Sequence, residues 1–132
     1  PGLVIEAMDA LAALGVRDAT EAIARRASSV FAPILLKAAA GAALHRLGDP
    51  RGLVLLRQAL TAWRGDGRTF AVEAAGALGV VELIPELSRL AGRSATADQA
   101  TLARALERLV QRSPAALPAL RKLAQRSDEA AE

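Results

Sequence analysis

The sequence predicts an all-α protein built as a stack of about four helical hairpins, and three observations carry that reading. Hydrophobic residues make up 52% of the 132-residue chain, while Phe 2, Trp 1 and Tyr 0 leave the apolar content largely to alanine and leucine. Both are strong helix formers. Aromatic and β-branched residues are scarce and never alternate over a useful length, which leaves no strand pattern. Finally, a leucine that closes an apolar helical stripe recurs at Leu14, Leu47, Leu78 and Leu109, in steps of 33, 31 and 31. A fixed period of that size is the mark of a repeat array.

Each unit opens with a first helix whose apolar residues follow the spacing i, i+3, i+4, i+7. The stripes are Ala7, Ala10, Leu11, Leu14; Ala40, Ala43, Leu44, Leu47; Ala71, Ala74, Ala75, Leu78; and Leu102, Ala105, Leu106, Leu109. Such a stripe must pack against a neighbour. A turn follows, and then a second helix marked by Ile23 with Ala27, Leu53 with Leu56 and Leu60, Ile84 with Leu87 and Ala91, and Leu117 with Leu120 and Ala124. The unit is helix, tight turn, helix, with approximate bounds 1–31, 32–64, 65–93 and 94–127, forming one domain and expected to be a piece of a longer chain.

The turns have their own chemistry. Gly15, Gly48 and Gly79 stand where a left-handed residue ends a helix at least cost. Asp49-Pro50 and Ser113-Pro114 each read as an N-cap followed by a proline in the first turn, and Asp18 with Glu21 reads as a capping box. Val80-Val81 is a weaker start. Pro33, Gly65-Asp66-Gly67 and Gly92-Arg93-Ser94, with Thr96 and Gln99 as a further cap, mark the breaks between units.

The run from Ala38 through Leu47-Gly48-Asp49-Pro50-Arg51 resembles the short bacterial HEAT-like repeat, also called the PBS-lyase-type repeat. Pro85 and Pro118 fall at the early proline of its second helix. The resemblance covers nearly the whole chain and is strongest in the second unit. It implies an α-solenoid, or superhelix, of about four two-helix repeats, with the second helices lining a concave face. Ankyrin and tetratricopeptide repeats have similar periods, but their signature residues are absent.

The chemistry available is narrow. With Cys 0 there is no disulfide, thiolate metal site or cysteine nucleophile. His45 is the single histidine, and one imidazole cannot build a zinc centre. Asp49, one turn on, could pair with it without implying catalysis. No phosphate-binding glycine loop, nucleophile elbow or carboxylate pair at metal spacing occurs. No catalytic or metal-binding residue and no cofactor is therefore assigned, and the chain is read as a non-enzyme.

The pI near 10.5 reflects arginine, 15 of the 17 basic residues, and not a massed charge, since the net is only +3. The basic excess sits in the second and fourth units. Arg64-Gly65-Asp66 spells an adhesion tripeptide but is explained as a loop. Trp63 is read as packing at a unit boundary, with an interaction hot spot as the sharper reading.

The informative feature is a column two residues beyond Ile23, Leu56, Leu87 and Leu120: Arg25, Gln58, Arg89 and Lys122, flanked by Arg57 and Arg121. Two residues turn a helix by about 200°, so the column faces away from the core. Arg104, Arg108 and Arg112 form a second stripe on the last first-helix and, with the polar tail from Ser127, give that end a capped character. Val4 and Met8 give the N-terminal helix an extra apolar side, which predicts exposure and association there.

The function these features predict is a protein–protein interaction scaffold that holds an acidic segment on the concave face. An accessory or catalytic module of bilin-lyase type is the reading family analogy supplies. A nucleic-acid-binding repeat is a third, disfavoured by the low net charge and missing aromatics. No apolar run reaches the roughly 18 residues that span a bilayer, and the first residues lack signal-peptide features. A cytoplasmic location is the expectation.

Overall fold

A computed structural model describes residues 2–13, 19–62, 65–93 and 96–131. Among them the chain forms eight α-helices and no strand: α1 (Gly2–Ala13), α2 (Thr20–Ala27), α3 (Ile34–Arg46), α4 (Arg51–Leu60), α5 (Asp66–Leu78), α6 (Ile84–Ala91), α7 (Thr96–Val110) and α8 (Leu117–Ala131). Short 3-10 turns at Val81–Leu83 and Pro114–Ala116 lead into α6 and α8. No described helix is long and apolar enough to cross a membrane. The helices gather into two compact units, Pro1–Ala71 and Val72–Glu132, with α5 running through the division.

In the first unit α3 is the centre. Ala38 to Leu44 are all buried, so the helix has no solvent face over two turns. It packs on α1, α2 and α4. The helices come close because the side chains between them are small. A Cβ placed on Gly52 of α4 would lie 2.6 Å from the Gly41 carbonyl oxygen of α3 and would overlap the His45 backbone. Met8, Ile23, Ala27, Ala40, Ala43, Leu44, Leu47 and Leu55 form one buried cluster.

That cluster corrects the expectation for the N-terminal helix. Met8 is 4% exposed and Val4 packs beside it, whereas Ala7 and Ala10 face solvent. Ala7 and Ala10 of the stripe chosen from spacing lie on the wrong side of α1, while Leu14 and the side chain of Leu11 lie outside the described residues. Burying a valine and a methionine removes far more apolar area from water than burying two alanines, and area decides.

The second unit packs α6 against α7 and α8, and α7 against α8. Leu83, Leu87, Leu102, Leu106 and Leu109 are completely or almost completely buried. Gly76 of α5 approaches α7 so closely that a Cβ there would stand 2.7 Å from the Ala105 Cα. Ala116 of the preceding turn and Ala119 and Leu123 of α8 are buried, while Leu117 and Leu120 are half-buried and Ala124 is exposed. The stripe expected at 117, 120 and 124 is therefore turned partly outward.

Local capping follows the sequence where it can be seen. Gly48 and Gly79 have φ of 79° and 66°. In both, the residue after the glycine donates to a carbonyl five back (Asp49 to Leu44 and Val80 to Ala75, each 2.9 Å), and the glycine donates to one three back. These are Schellman closures. The fourth turn has no glycine and closes through Ser113 N–H to the Leu109 carbonyl instead. Asp49 Oδ1 accepts the Arg51 N–H, and Ser113 Oγ accepts the Ala115 N–H. Ala19, the cap residue of α2, makes no side-chain cap bond, and the capping box read from Asp18 to Glu21 rests on a residue outside the described ones. Gly15, Asp18, Trp63, Arg64 and Ser94 lie outside the described residues, as does the side chain of Thr96.

Candidate partner-binding surface

The strongest polar cluster is one the periodicity did not single out. Arg51 follows the Asp49-Pro50 turn at the start of α4, and its guanidinium spans two carboxylates. It donates to Asp49 through Nε (3.0 Å) and a terminal nitrogen (2.7 Å), and to Glu21 of α2 at 2.8 and 3.3 Å. The hydrogen bonds from the Arg51 side chain and backbone hold the Asp49 carboxyl down at about 2. Glu21 is lowered by the same side chain, and Arg51 is raised by both partners. Asp49 is thus engaged through both oxygens by Arg51. His45, half-buried on α3, is not the partner the sequence left open for it. Among the described residues no three His, Cys, Asp or Glu side chains gather where they could hold a metal ion.

This triad is a clamp between α2 and the α3–α4 turn. Lys37 adds a second tie, donating to the Ala27 carbonyl at the C-terminus of α2 at 3.2 Å. There the helix dipole favours a cation.

The column of outward residues divides between the two units. In the first, Arg25 is exposed on α2 and Gln58 on α4. Gln58 and the half-buried Arg57 line a shallow depression of about 340 Å³ with Val54 and Thr61. Val54 is 52% exposed, so the depression has an apolar floor beside its polar rim.

In the second unit Arg89, Arg121 and Lys122 are all exposed, but two have local duties. Arg89 lies 3.6 Å from the Glu86 carboxylate, one turn back on α6. The Lys122 ammonium sits over the last turn of α6, 3.4 Å from where a Gly92 Cβ would be. Arg126 donates to the Ala91 carbonyl at 2.8 Å. The C-terminus of α6 is therefore held by Arg126 of α8, with the Lys122 ammonium close by, a placement its dipole favours.

The other arginine stripe differs. Arg104 and Arg108 line a separate groove of about 310 Å³ between α5 and α7, with Glu73 on its wall. Arg112 packs its side chain over Gly79. The C-terminal end is not uniformly polar, since α7 and α8 enclose an open groove of about 490 Å³ floored by Ala100, Ala103, Leu120, Leu123 and Ala124.

Sequence reasoning missed the loop between α2 and α3. Val30 and Phe31 are 85% and 92% exposed, the most exposed large apolar residues described. Ser29 shapes the loop, its Oγ accepting the Phe31 N–H at 3.2 Å and its carbonyl the Ala32 N–H at 3.1 Å. The only sequence signal was two bulky residues between a serine pair and Pro33, outside any helical stripe.

No family model matches the chain, and no curated protein or solved structure matches it.

Proposed function

We propose that this protein is a HEAT-like α-solenoid scaffold that binds an acidic, partly apolar segment of another protein on the outer faces of its second helices. The observation that carries the reading is the exposure of Arg25, Gln58, Arg89 and Lys122 at repeat-related positions of α2, α4, α6 and α8, with Arg121 exposed beside Lys122. Arg57, Val54 and the Gln58 side chain supply a depression with an apolar floor. Phe31 offers a large apolar anchor of the kind that dominates interface energetics. A peptide segment with alternating acidic and apolar residues satisfies both features. A nucleic acid would use the cations but leave Val54 and Phe31 unused.

The test is binding to an array of synthetic peptides that intersperse glutamate with leucine or phenylalanine, read by fluorescence anisotropy at low and high salt. Lys122 is left intact, because it serves the end of α6. Arg25→Glu, Arg89→Glu and Arg121→Glu together should abolish binding while the far-UV spectrum stays helical. The control is Arg104→Glu with Arg108→Glu, which should spare binding. Loss with the control pair and retention with the triple would put the working surface on the other helices and sink the proposal.

A further inference from the structure

Of all the serines and threonines in the chain, only Ser28 and Ser29 have two arginines among the four residues before them. They stand between Arg25-Arg26 and Val30-Phe31, where α2 gives way to α3. From Arg25 to Phe31 every residue is exposed except Ala27. Loops between hairpins stay open even where a neighbouring hairpin packs. Thr61, Gly65 and Asp66, after α4, are exposed although α1 and α2 pack on α3. The openness of residues 28–31 thus belongs to the connection and does not rest on a bare helix face.

The two serines are not alike. Ser28 is the C-cap of α2, and its hydroxyl donates to the Ala24 carbonyl. The Ser29 Oγ accepts the Phe31 N–H and donates to no group among the described residues. Ser29 also has Arg26 three residues before it and Val30 directly after. That arrangement suits a kinase whose substrate groove offers carboxylates to the arginine and an apolar pocket to the residue after the serine. Such a groove takes its substrate extended, so the last turn of α2 must open. The helix has eight residues and no side-chain cap, and the ends of short helices open at little cost. What is given up is the burial of the Ala27 methyl and the Lys37 bond to the Ala27 carbonyl.

We propose that Ser29 is a phosphorylation site for an arginine-directed protein kinase. The Ser29 Oγ bonds to the γ-phosphorus of ATP while the bond from that phosphorus to the bridging oxygen breaks. ADP leaves, and the hydroxyl proton passes to a carboxylate base of the kinase. The product carries a charge of about −1.5 to −2 at neutral pH, set against the two positive charges of Arg25 and Arg26. It cancels the positive charge at α2, so phosphorylation releases an acidic segment held there. That consequence rests on the scaffold function proposed above, whereas the modification does not.

The test incubates the whole chain with magnesium, ATP and the purified catalytic domain of an arginine-directed serine kinase, and locates the phosphate by tandem mass spectrometry. Phosphate should enter the folded protein at Ser29. Ser29→Ala should abolish incorporation in this loop, Ser28→Ala should retain it, and Arg26→Ala should slow it about tenfold or more. Circular dichroism should show each variant as helical as the wild type. A folded chain that takes up no phosphate at Ser29 overturns the proposal, even where a synthetic peptide of residues 23–33 is modified. So does phosphate placed on Ser28 instead, or a rate that Arg26→Ala leaves unchanged. The phosphorylated chain should then bind the glutamate-containing peptides about tenfold more weakly than the unmodified chain. An unmodified chain that binds none of them refutes the scaffold reading and leaves the Ser29 site standing. Equal binding before and after phosphorylation overturns the release.

Discussion

Replacing Asp49 by asparagine isolates the charge of the α2–α4 clamp from its geometry. Asparagine caps helices about as well as aspartate, so the bond from the Arg51 N–H can persist while the ion pair is lost. Asp49 is lowered from 3.8 to about 2, which at about 1.36 kcal/mol per unit sets a ceiling of about 2.4 kcal/mol. The Asp49 side chain is only 15% exposed, but Arg51 and Glu21 are 43% and 73% exposed, so water screens the pair. About 1 kcal/mol is the expected net contribution. A depressed pKa adds stability above the unfolded-state value and loses it as the group protonates. The wild-type advantage should therefore be full at pH 6, begin to fall between about pH 5 and pH 4, be mostly lost by about pH 2 and vanish near about pH 1. Glu21, also lowered, acts in the same direction. Urea unfolding of wild type and Asp49→Asn across this range measures the difference, and thermal unfolding at pH 6 should show a gap of about 4 °C. Two stability curves that stay parallel from pH 6 to pH 2 would refute the assignment of the lowered carboxyl to Asp49.

Two further predictions test packing and turn closure. Gly52→Ala should destabilise the protein by about 1–3 kcal/mol in urea despite alanine's higher helix propensity, because the new Cβ meets the α3 backbone and not a side chain that can move; Gly2→Ala, with open space around it, is the neutral control. Gly48→Val should cost more than Gly48→Asn in thermal unfolding, since φ of 79° is tolerated by asparagine but strains a β-branched residue.

What could be read in advance was local. Gly48, Gly79 and Ser113 announce their turns because a left-handed closure or a hydroxyl cap needs only four or five neighbouring residues. The face of α1 was not legible for the opposite reason. In an alanine-rich helix several stripes satisfy the same spacing, and only the packing partner decides among them. Met8 and Val4 won because α3 offers its Ala40–Ala43 side across a distance no window along α1 can contain. The Glu21–Arg51 bond escaped for the same reason, since its partners lie 30 residues apart.

The basic column shows a further limit of counting charges along a helix. Its four positions, Arg25, Gln58, Arg89 and Lys122, looked equivalent, since each was assigned by the same step from a core residue. The structure gives them unequal roles. Lys122 stands at the negative end of α6, beside the bond from Arg126, and Arg89 lies against Glu86. A cation already engaged by its own protein must give up that interaction before it serves a ligand, so its net contribution to binding falls. Arg112, on the stripe chosen for contrast, is likewise occupied over Gly79. Arginine recurs in this chain partly because glycine-closed turns and short helices leave carbonyl ends that need donors. Repetition of a cation at the repeat spacing therefore marks repetition of those ends as readily as it marks a binding groove. Substituting Arg25 or Arg121, both exposed, separates the two causes more cleanly than substituting Lys122 does.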